Sequence, residues 1–436
     1  MDKPISKNAS KMGIFSTICL VAGNMIGSGV LMLPAALSLY GRYSFIGWFI
    51  TCLGAISLGF IFTKLSSWVP ESGGPLVFAK KVFGDFIGFQ VAWCYWLFSC
   101  ISNVVLVVTG IAYLSLRFDS FSKTDHMFIG MAIIWGFTAI NMISIKCFEK
   151  VQILITILKI IPIILFVICG AFYFDLSVIS SLDSVETPWN SISKTVALTL
   201  WGFVGIESAT IPAAEVRHPS RVIPIAITVG VLITAAIYII GSATIMSTLD
   251  QQVLASSKAP FVDATLKIFG EPYATLMLIF GAITIVGTLN GWVMIQGYLP
   301  KSAAEYHIFP KIFQKVNKSG IPVASLIIGG IVMSVTFLWN YTKSTIEQFN
   351  FIVELSCFMV VIPYIYSISS ALILALTDNR DTFKSRMHLT LFILAIIMSF
   401  GYVIYAICGI QKDIIVDTMV FVLLSTLVYP LMIKKR

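Results

Sequence analysis

Stretches of about 20 apolar residues recur from one end of this chain to the other, and nothing else in the sequence limits the fold so tightly. A run such as ILITILKIIPIILFVICGAF spans the hydrocarbon of a bilayer when helical. Only helices and closed barrels satisfy their own backbone polar groups there. Composition agrees, with 58% hydrophobic and only 11% charged residues. Soluble domains keep roughly a quarter charged. The fold class is therefore an all-α integral membrane protein. Twelve spans are expected, at about 13–37, 43–66, 85–114, 127–146, 150–174, 190–212, 222–248, 272–300, 320–340, 347–377, 388–409 and 413–433. The longest connectors run to about twenty residues, with a polar one near 175–189 and amphipathic stretches near 68–84 and 300–318. The first apolar run continues into the body of the chain and reads as a span, not as a cleaved leader.

The net charge of +8 raises the question of a nucleic-acid partner. Its distribution answers otherwise: about 20 of the 29 Lys and Arg fall in alternate connectors on one side. That asymmetry predicts cytoplasmic termini, residues 1–12 and 434–436, and a lipid bilayer as the surrounding partner. Eight cysteines without a Cys-x-x-Cys pair argue against a disulfide framework or zinc site. The four histidines, His126, His218, His307 and His388, sit in connectors or at span ends, which argues against a metal cluster. No phosphate-binding loop is present, so ATP coupling is not expected and no cofactor is implied.

Two spans are interrupted. The first contains GNMIGSG, Gly23 to Gly29, and the sixth contains TLWGFVGIESATIP, with Gly202, Gly205, Glu207, Ser208 and Pro212. Taken singly, either glycine cluster is better read as close helix packing. The two lie about 180 residues apart, close to five spans, and each opens a five-span unit. That pairing points to inverted repeats around a binding site at the membrane midplane.

Five stretches in order, GNMIGSGVLMLPA, YWLFSCISNVVLVVTGIAYLS, LTLWGFVGIESA, LNGW and FPKIFQKVNKSGIPVASLII, give the chain a family likeness. It resembles the amino acid–polyamine–organocation superfamily and, within it, the basic amino acid/polyamine antiporters. Arginine/agmatine antiporters look most similar, and putrescine/ornithine antiporters next. The resemblance implies a LeuT-like fold: a first repeat over 13–174, a second over 190–377, and two further helices over 388–433. Helices 1 and 6 would be broken. It implies a secondary amino acid transporter of the bacterial inner membrane, exchanging a cationic amino acid for an amine by alternating access.

The same resemblance implies a site. Asn24, Met25, Ile26, Gly27, Ser28 and Gly29 would receive the substrate's carboxylate and amino group. Free amides at the start of a half-helix suit an anion. Asn103 matches a position that bonds the far cationic end, and Trp201 the ring on which it stacks. Leu106, Gly202, Val204 and Ser356 would complete the pocket. Tyr95, Glu207, Trp292 and Tyr364 match gate positions. Glu207 is also a charge that the membrane tolerates mainly where it has work to do.

Several residues depart from the pattern. Lys159 stands where the closest antiporters carry a small residue, and in other superfamily members a lysine there resembles a substitute for the sodium ion of sodium-coupled relatives. Proton symport and a fixed structural cation are both open for it. Glu354, a second acid within a span, would favour a dibasic cargo if it faced the pocket. Leu106 and Gly202 replace a methionine and a serine, which loosens the assignment of arginine. Glu215, Arg217 and Arg221, after the sixth span, suit either loop pairing or gating of the inner mouth. An ornithine/putrescine-type exchanger is an alternative. An intramembrane enzyme using Ser28 is a remote one, because no base is evidently paired with that serine. Protons are an open partner, and oligomeric state, a homodimer included, is not readable from the residues.

Overall fold

The computed structural model describes residues 11–116, 122–340, 345–378, 386–410 and 412–432. Their helices are α1 (Ile14–Met25), α2 (Ser28–Ser38), α3 (Tyr43–Trp68), α4 (Pro75–Phe83), α5 (Asp85–Ser115), α6 (Lys123–Ile143), α7 (Ile145–Gly170), α8 (Leu176–Ser181) and α9 (Pro188–Phe203). There follow α10 (Pro219–Thr248), α11 (Gln251–Ser256), α12 (Pro260–Phe269), α13 (Glu271–Glu305), α14 (Val323–Asn340), α15 (Thr345–Thr377), α16 (Arg386–Cys408) and α17 (Lys412–Met432). Helix starts follow local chemistry. Pro188 and Pro219 occupy first helical positions, where a missing N–H costs nothing. At α6, Ser122 and Asp125 form a reciprocal capping box.

Ten described helical stretches are long and apolar enough to cross a membrane, with Ile14–Ser38 counted as one. The two other expected spans differ from the rest. The ninth holds the shorter apolar helix Val323–Trp339, and in the sixth α9 stops at Phe203, midway along its apolar run. Two connectors carry structure of their own: the 175–189 stretch holds α8, and the 68–84 stretch holds α4. Helix α13 continues to Glu305, well beyond the residue expected to end it.

The packing is concentric. The apolar windows of Ile14–Ser38, α13 and α5 are 89%, 78% and 72% buried, whereas those of α6 and α17 are 22% and 19% buried. Helix α5 packs against α13 and α15, α10 against α1 and α3, and α7 against α13 and α1. The outer helices turn large apolar side chains such as Leu154, Leu165, Phe128 and Leu427 outward, the arrangement a lipid surround requires. The inner helices carry the site.

Candidate functional site

Helix α1 ends at Met25, Ile26 and Gly27 leave helical geometry, and α2 starts at Ser28. Such a break frees the carbonyls at the end of α1, each expensive in a membrane unless it finds a donor. Every carbonyl from Gly23 to Ile26 does. The Lys159 ammonium of α7 donates to those of Gly23 and Ile26, the latter at 2.8 Å. Trp292 Nε1 of α13 donates to Asn24 at 3.1 Å, and the Tyr238 hydroxyl of α10 donates to Met25 at 3.1 Å. Thr288 Oγ1 adds a second donor to Ile26 at 3.1 Å. The amides at the start of α2 have no side-chain cap, and the Ser28 hydroxyl is buried without a hydrogen-bond partner among the described residues.

The second interruption lies against the first. After Phe203 the backbone runs without an α-helix to Pro219, through short 3-10 turns at Ser208–Thr210 and Ala213–Glu215. Gly205 has φ +112°, a conformation that L side chains rarely adopt. A Cβ there would stand 3.2 Å from Asn24 Cβ and 3.3 Å from Trp292 Cζ2. Gly291, in the LNGW stretch, is needed for a similar reason: a Cβ would fall 1.9 Å from Asn24 Oδ1. Two residues past Gly205, the fully buried Glu207 accepts the Tyr95 hydroxyl on Oε1 and the Tyr364 hydroxyl on Oε2, the latter at 2.8 Å. One carboxylate thus joins α5 and α15 to the interruption.

Between the breaks lies a cavity of about 20 Å³, room for about one water. Its walls are Asn24, Met25, Gly27, Ser28, Gly29, Phe98, Ser102, Leu106, Trp201, Val204, Thr288 and Trp292. Nine of these are sequence candidates. Phe98, Ser102 and Thr288 are additions, and helical spacing could have found them. Phe98 and Ser102 precede Leu106 by eight and four residues, and Thr288 precedes Trp292 by four.

Other candidates take different places. Asn103 does not line the cavity; its Nδ2 donates to Gln296 Oε1 at 3.0 Å and lies 3.9 Å from Met333 Sδ. Gly202 lies behind Trp201 against the Tyr238 ring. Ile26 turns its carbonyl to Lys159 and Thr288. Ser356 is fully buried but outside the lining, as are Tyr95, Glu207 and Tyr364. Glu354 belongs to α15, but its side chain lies outside the described residues. Lys159 makes its third contact with Thr288 Oγ1 at 3.0 Å.

Beyond the second interruption the backbone forms a clasp with the segment leading into α1. Met12 N–H donates to the Glu215 carbonyl at 2.7 Å, Arg217 N–H to the Met12 carbonyl at 3.0 Å, and Arg217 Nε to the Lys11 carbonyl at 3.0 Å. Burial lifts the Glu215 carboxyl above its ordinary value, against the pull of Lys301 and Lys11 and with a smaller push from Glu305.

The sequence profile of one family, described as amino acid permease, matches residues 12–432. The chain belongs to the amino acid permease family. The permease thus falls within the superfamily that the five stretches resemble, among the basic amino acid/polyamine antiporters. It is 30% identical over 368 residues to the cadaverine/lysine antiporter of Escherichia coli strain K12, an alignment spanning 83% of each chain. To the putrescine transporter PotE of the same strain it is 29% identical over 382 residues, 87% of each. The crystal structure of MhsT in complex with L-phenylalanine superposes with a TM-score of 0.58 at 12% identity. That match covers 90% of this permease and 98% of MhsT, and shows a shared fold. The permease is a multi-pass membrane protein, and the family and both relatives are transporters, not enzymes.

Proposed function

We propose that this permease is a secondary exchanger of cationic amino acids or amines, working by alternating access around the cavity between the two helix interruptions. The observation that carries the reading is the meeting of the breaks at Asn24 and Gly205, with the uncapped start of α2 and the Trp201 ring on one small space. In this reading the chain has twelve spans. The repeats cover 13–174 and 190–377, residues 388–433 follow, and both termini face the cytoplasm of a bacterial inner membrane.

Each group then has a part. The amides of Ser28 and Gly29, aided by the helix dipole and the Ser28 hydroxyl, receive a carboxylate. The face of Trp201 receives the cationic or aliphatic end. Tyr95, Glu207 and Tyr364 form a gate on one side, and Trp292 a hinged wall on the other. Small rotations of such aromatics open a path. A cavity of about 20 Å³ cannot hold an amino acid, so binding and release require these walls to move. Lys159 acts as a fixed cation that holds the first break open, which its three contacts support over a proton-carrying role.

Counterflow in proteoliposomes tests the proposal. Vesicles preloaded with lysine, ornithine or arginine should accumulate the labelled amino acid from outside, and empty vesicles should not. Equal uptake by empty vesicles, driven by a pH gradient, would replace exchange with proton symport. No uptake of any amino acid or amine would remove the transport reading.

A further inference from the structure

We infer that one end of the bundle carries a docking surface for the headgroup of an anionic phospholipid. It forms where α6, α7 and the connector between α13 and α14 meet. Its cationic groups are Lys146 and Lys150 of α7 and Lys311, Lys315 and Lys318 of the connector, all exposed.

The connector is a fixed part of the fold. Residues 306–322 hold those three lysines and neither Asp nor Glu. The buried Phe313 ring packs on Trp96 and Phe309, with centroids 5.9 and 5.7 Å away. Gln314 Nε2 donates to the Ala304 carbonyl near the end of α13, and the Ser325 hydroxyl of α14 donates to the Phe313 carbonyl at 3.1 Å. Asn317 Nδ2 donates to the Met142 carbonyl, one residue before α6 ends, at 2.8 Å. That last contact brings Lys315 and Lys318 to the corner between α6 and α7, and Lys146 lies in the first turn of α7. Three helix ends thus hold the strip from which the lysines project.

Their charges are unmatched. Elsewhere at this end Lys80, Lys81 and Lys301 pair with Asp85, Asp378 and Glu305. No ion pair among the described residues includes Lys146, Lys150, Lys311, Lys315 or Lys318. Glu149 lies between Lys146 and Lys150 in sequence but turns to α1, where Oε1 accepts the Ser16 hydroxyl at 2.6 Å and the Gly13 N–H at 3.4 Å. A bias of positive charge toward one side of the membrane accounts for both sets of lysines. Only the second set is left without acids.

The surface below these charges selects a lipid. Lys146 and Lys150 begin a stripe that Leu154, Ile157, Ile161 and Leu165 continue along α7, at steps of three or four residues. Those four apolar side chains are 39% to 57% exposed. Ile312 and Val316, each next to a connector lysine, are exposed as well, and so is Ile143 at the end of α6. A nucleic acid or an acidic protein would use the charges and leave the apolar stripe idle. A phospholipid places its phosphate among the ammonium groups and its acyl chains along the stripe. Lysine stems lie readily on apolar surface while the charged heads stay at the interface. Clusters of roughly four to eight Lys and Arg at such a boundary recognise anionic headgroups.

Native mass spectrometry of the purified full chain, titrated with phosphatidylglycerol or phosphatidylcholine, measures the preference. The first phosphatidylglycerol should bind about tenfold to a hundredfold more tightly than the first phosphatidylcholine. A combined Lys311→Gln, Lys315→Gln and Lys318→Gln variant should cut that preference to about threefold or less, and Lys146→Gln with Lys150→Gln should lower it independently. Removing three exposed lysines from the other end, by Lys123→Gln, Lys258→Gln and Lys412→Gln, should leave it intact. Equal binding of the two lipids by the wild type overturns the inference. So does a connector variant that keeps the preference, or an opposite-end variant that loses it as fully. Glycerol phosphate binding as tightly as the whole lipid also overturns it, because the surface would then be a site for free phosphate. Lipid binding is read without transport, so these outcomes stand apart from the exchange reading.

Discussion

Four successive carbonyls and the side chains that reach them explain how a hydrophobic helix tolerates a break. Gly23 and Ile26 rely on Lys159, Asn24 on Trp292, and Met25 on Tyr238. Each donor comes from a helix remote in sequence, so the break is held by tertiary contacts. Tyr238 offers the cleanest probe, because its ring also packs on Trp48 with centroids 5.4 Å apart and phenylalanine would keep that contact. Tyr238→Phe leaves the Met25 carbonyl with no side-chain donor. An unmatched buried acceptor costs about 1–3 kcal/mol. The expected result is a lower melting temperature in detergent, with expression retained. Unchanged stability would mean that the break does not depend on this donor. Close approach matters equally at Gly29, where a Cβ would stand 2.8 Å from the Tyr238 hydroxyl and 3.2 Å from Trp201 Cδ1. The turn that opens α2 and the Trp201 ring can be this near each other only because residue 29 has no side chain.

Helix α1 rides on one face of α7. Glu149, Gln152, Thr156 and Lys159 are spaced by three, four and three residues, which aligns them along a single helical stripe. Ser16 Oγ donates to Glu149 Oε1 at 2.6 Å, while Gln152 and Thr156 both donate to the Cys19 carbonyl at 3.2 Å. Asn290 of α13 joins the ladder through Gln152 at 2.8 Å. The clasp of Met12 on Glu215 and Arg217 fastens the start of α1 to the far side of the second interruption. Within it Glu215 holds its proton more tightly in the folded chain, since its carboxyl is raised above the ordinary value of 4.5. The stability gained from that group is fully present below 4.5 and is lost as pH rises through the raised value. Glu215→Gln removes the titration. Relative to wild type, it should raise the melting temperature at pH 7 and change little at pH 4. A difference of the same size at both values would assign the effect to packing.

Across the whole molecule, the inner helices α1, α5, α10 and α13 bring the two interruptions together, and the outer ones present apolar surface to lipid. The small central space marks a closed arrangement. In the proposed alternating-access cycle, the clasp between residues 12 and 216 is a contact that opening on that face releases. Replacing Met12 and Val216 with cysteine, in a chain lacking the exposed Cys169 and Cys408, should allow a disulfide, since bridged residues stand at a suitable separation. Oxidation should abolish counterflow, and reduction should restore it. Undiminished exchange by the oxidised protein would show that the clasp stays closed throughout the cycle.

Much of this was legible in the residues themselves. Apolar runs of helical length dictate a bilayer, and clustered glycines with polar neighbours dictate where two spans cannot stay helical. Both are local properties, written in consecutive residues. Helical spacing even carries the additional cavity residues Phe98, Ser102 and Thr288. What only the tertiary structure decided is which side chain meets which freed group. Asn103 faces Gln296 and not the cavity, Glu207 is shared by two tyrosines, and Lys159 ends among three acceptors at the first break. Such pairings depend on how helices cross and rotate against one another, and a shift of one residue turns a side chain by about 100° around its helix. Spacing within a single helix carries no record of that rotation.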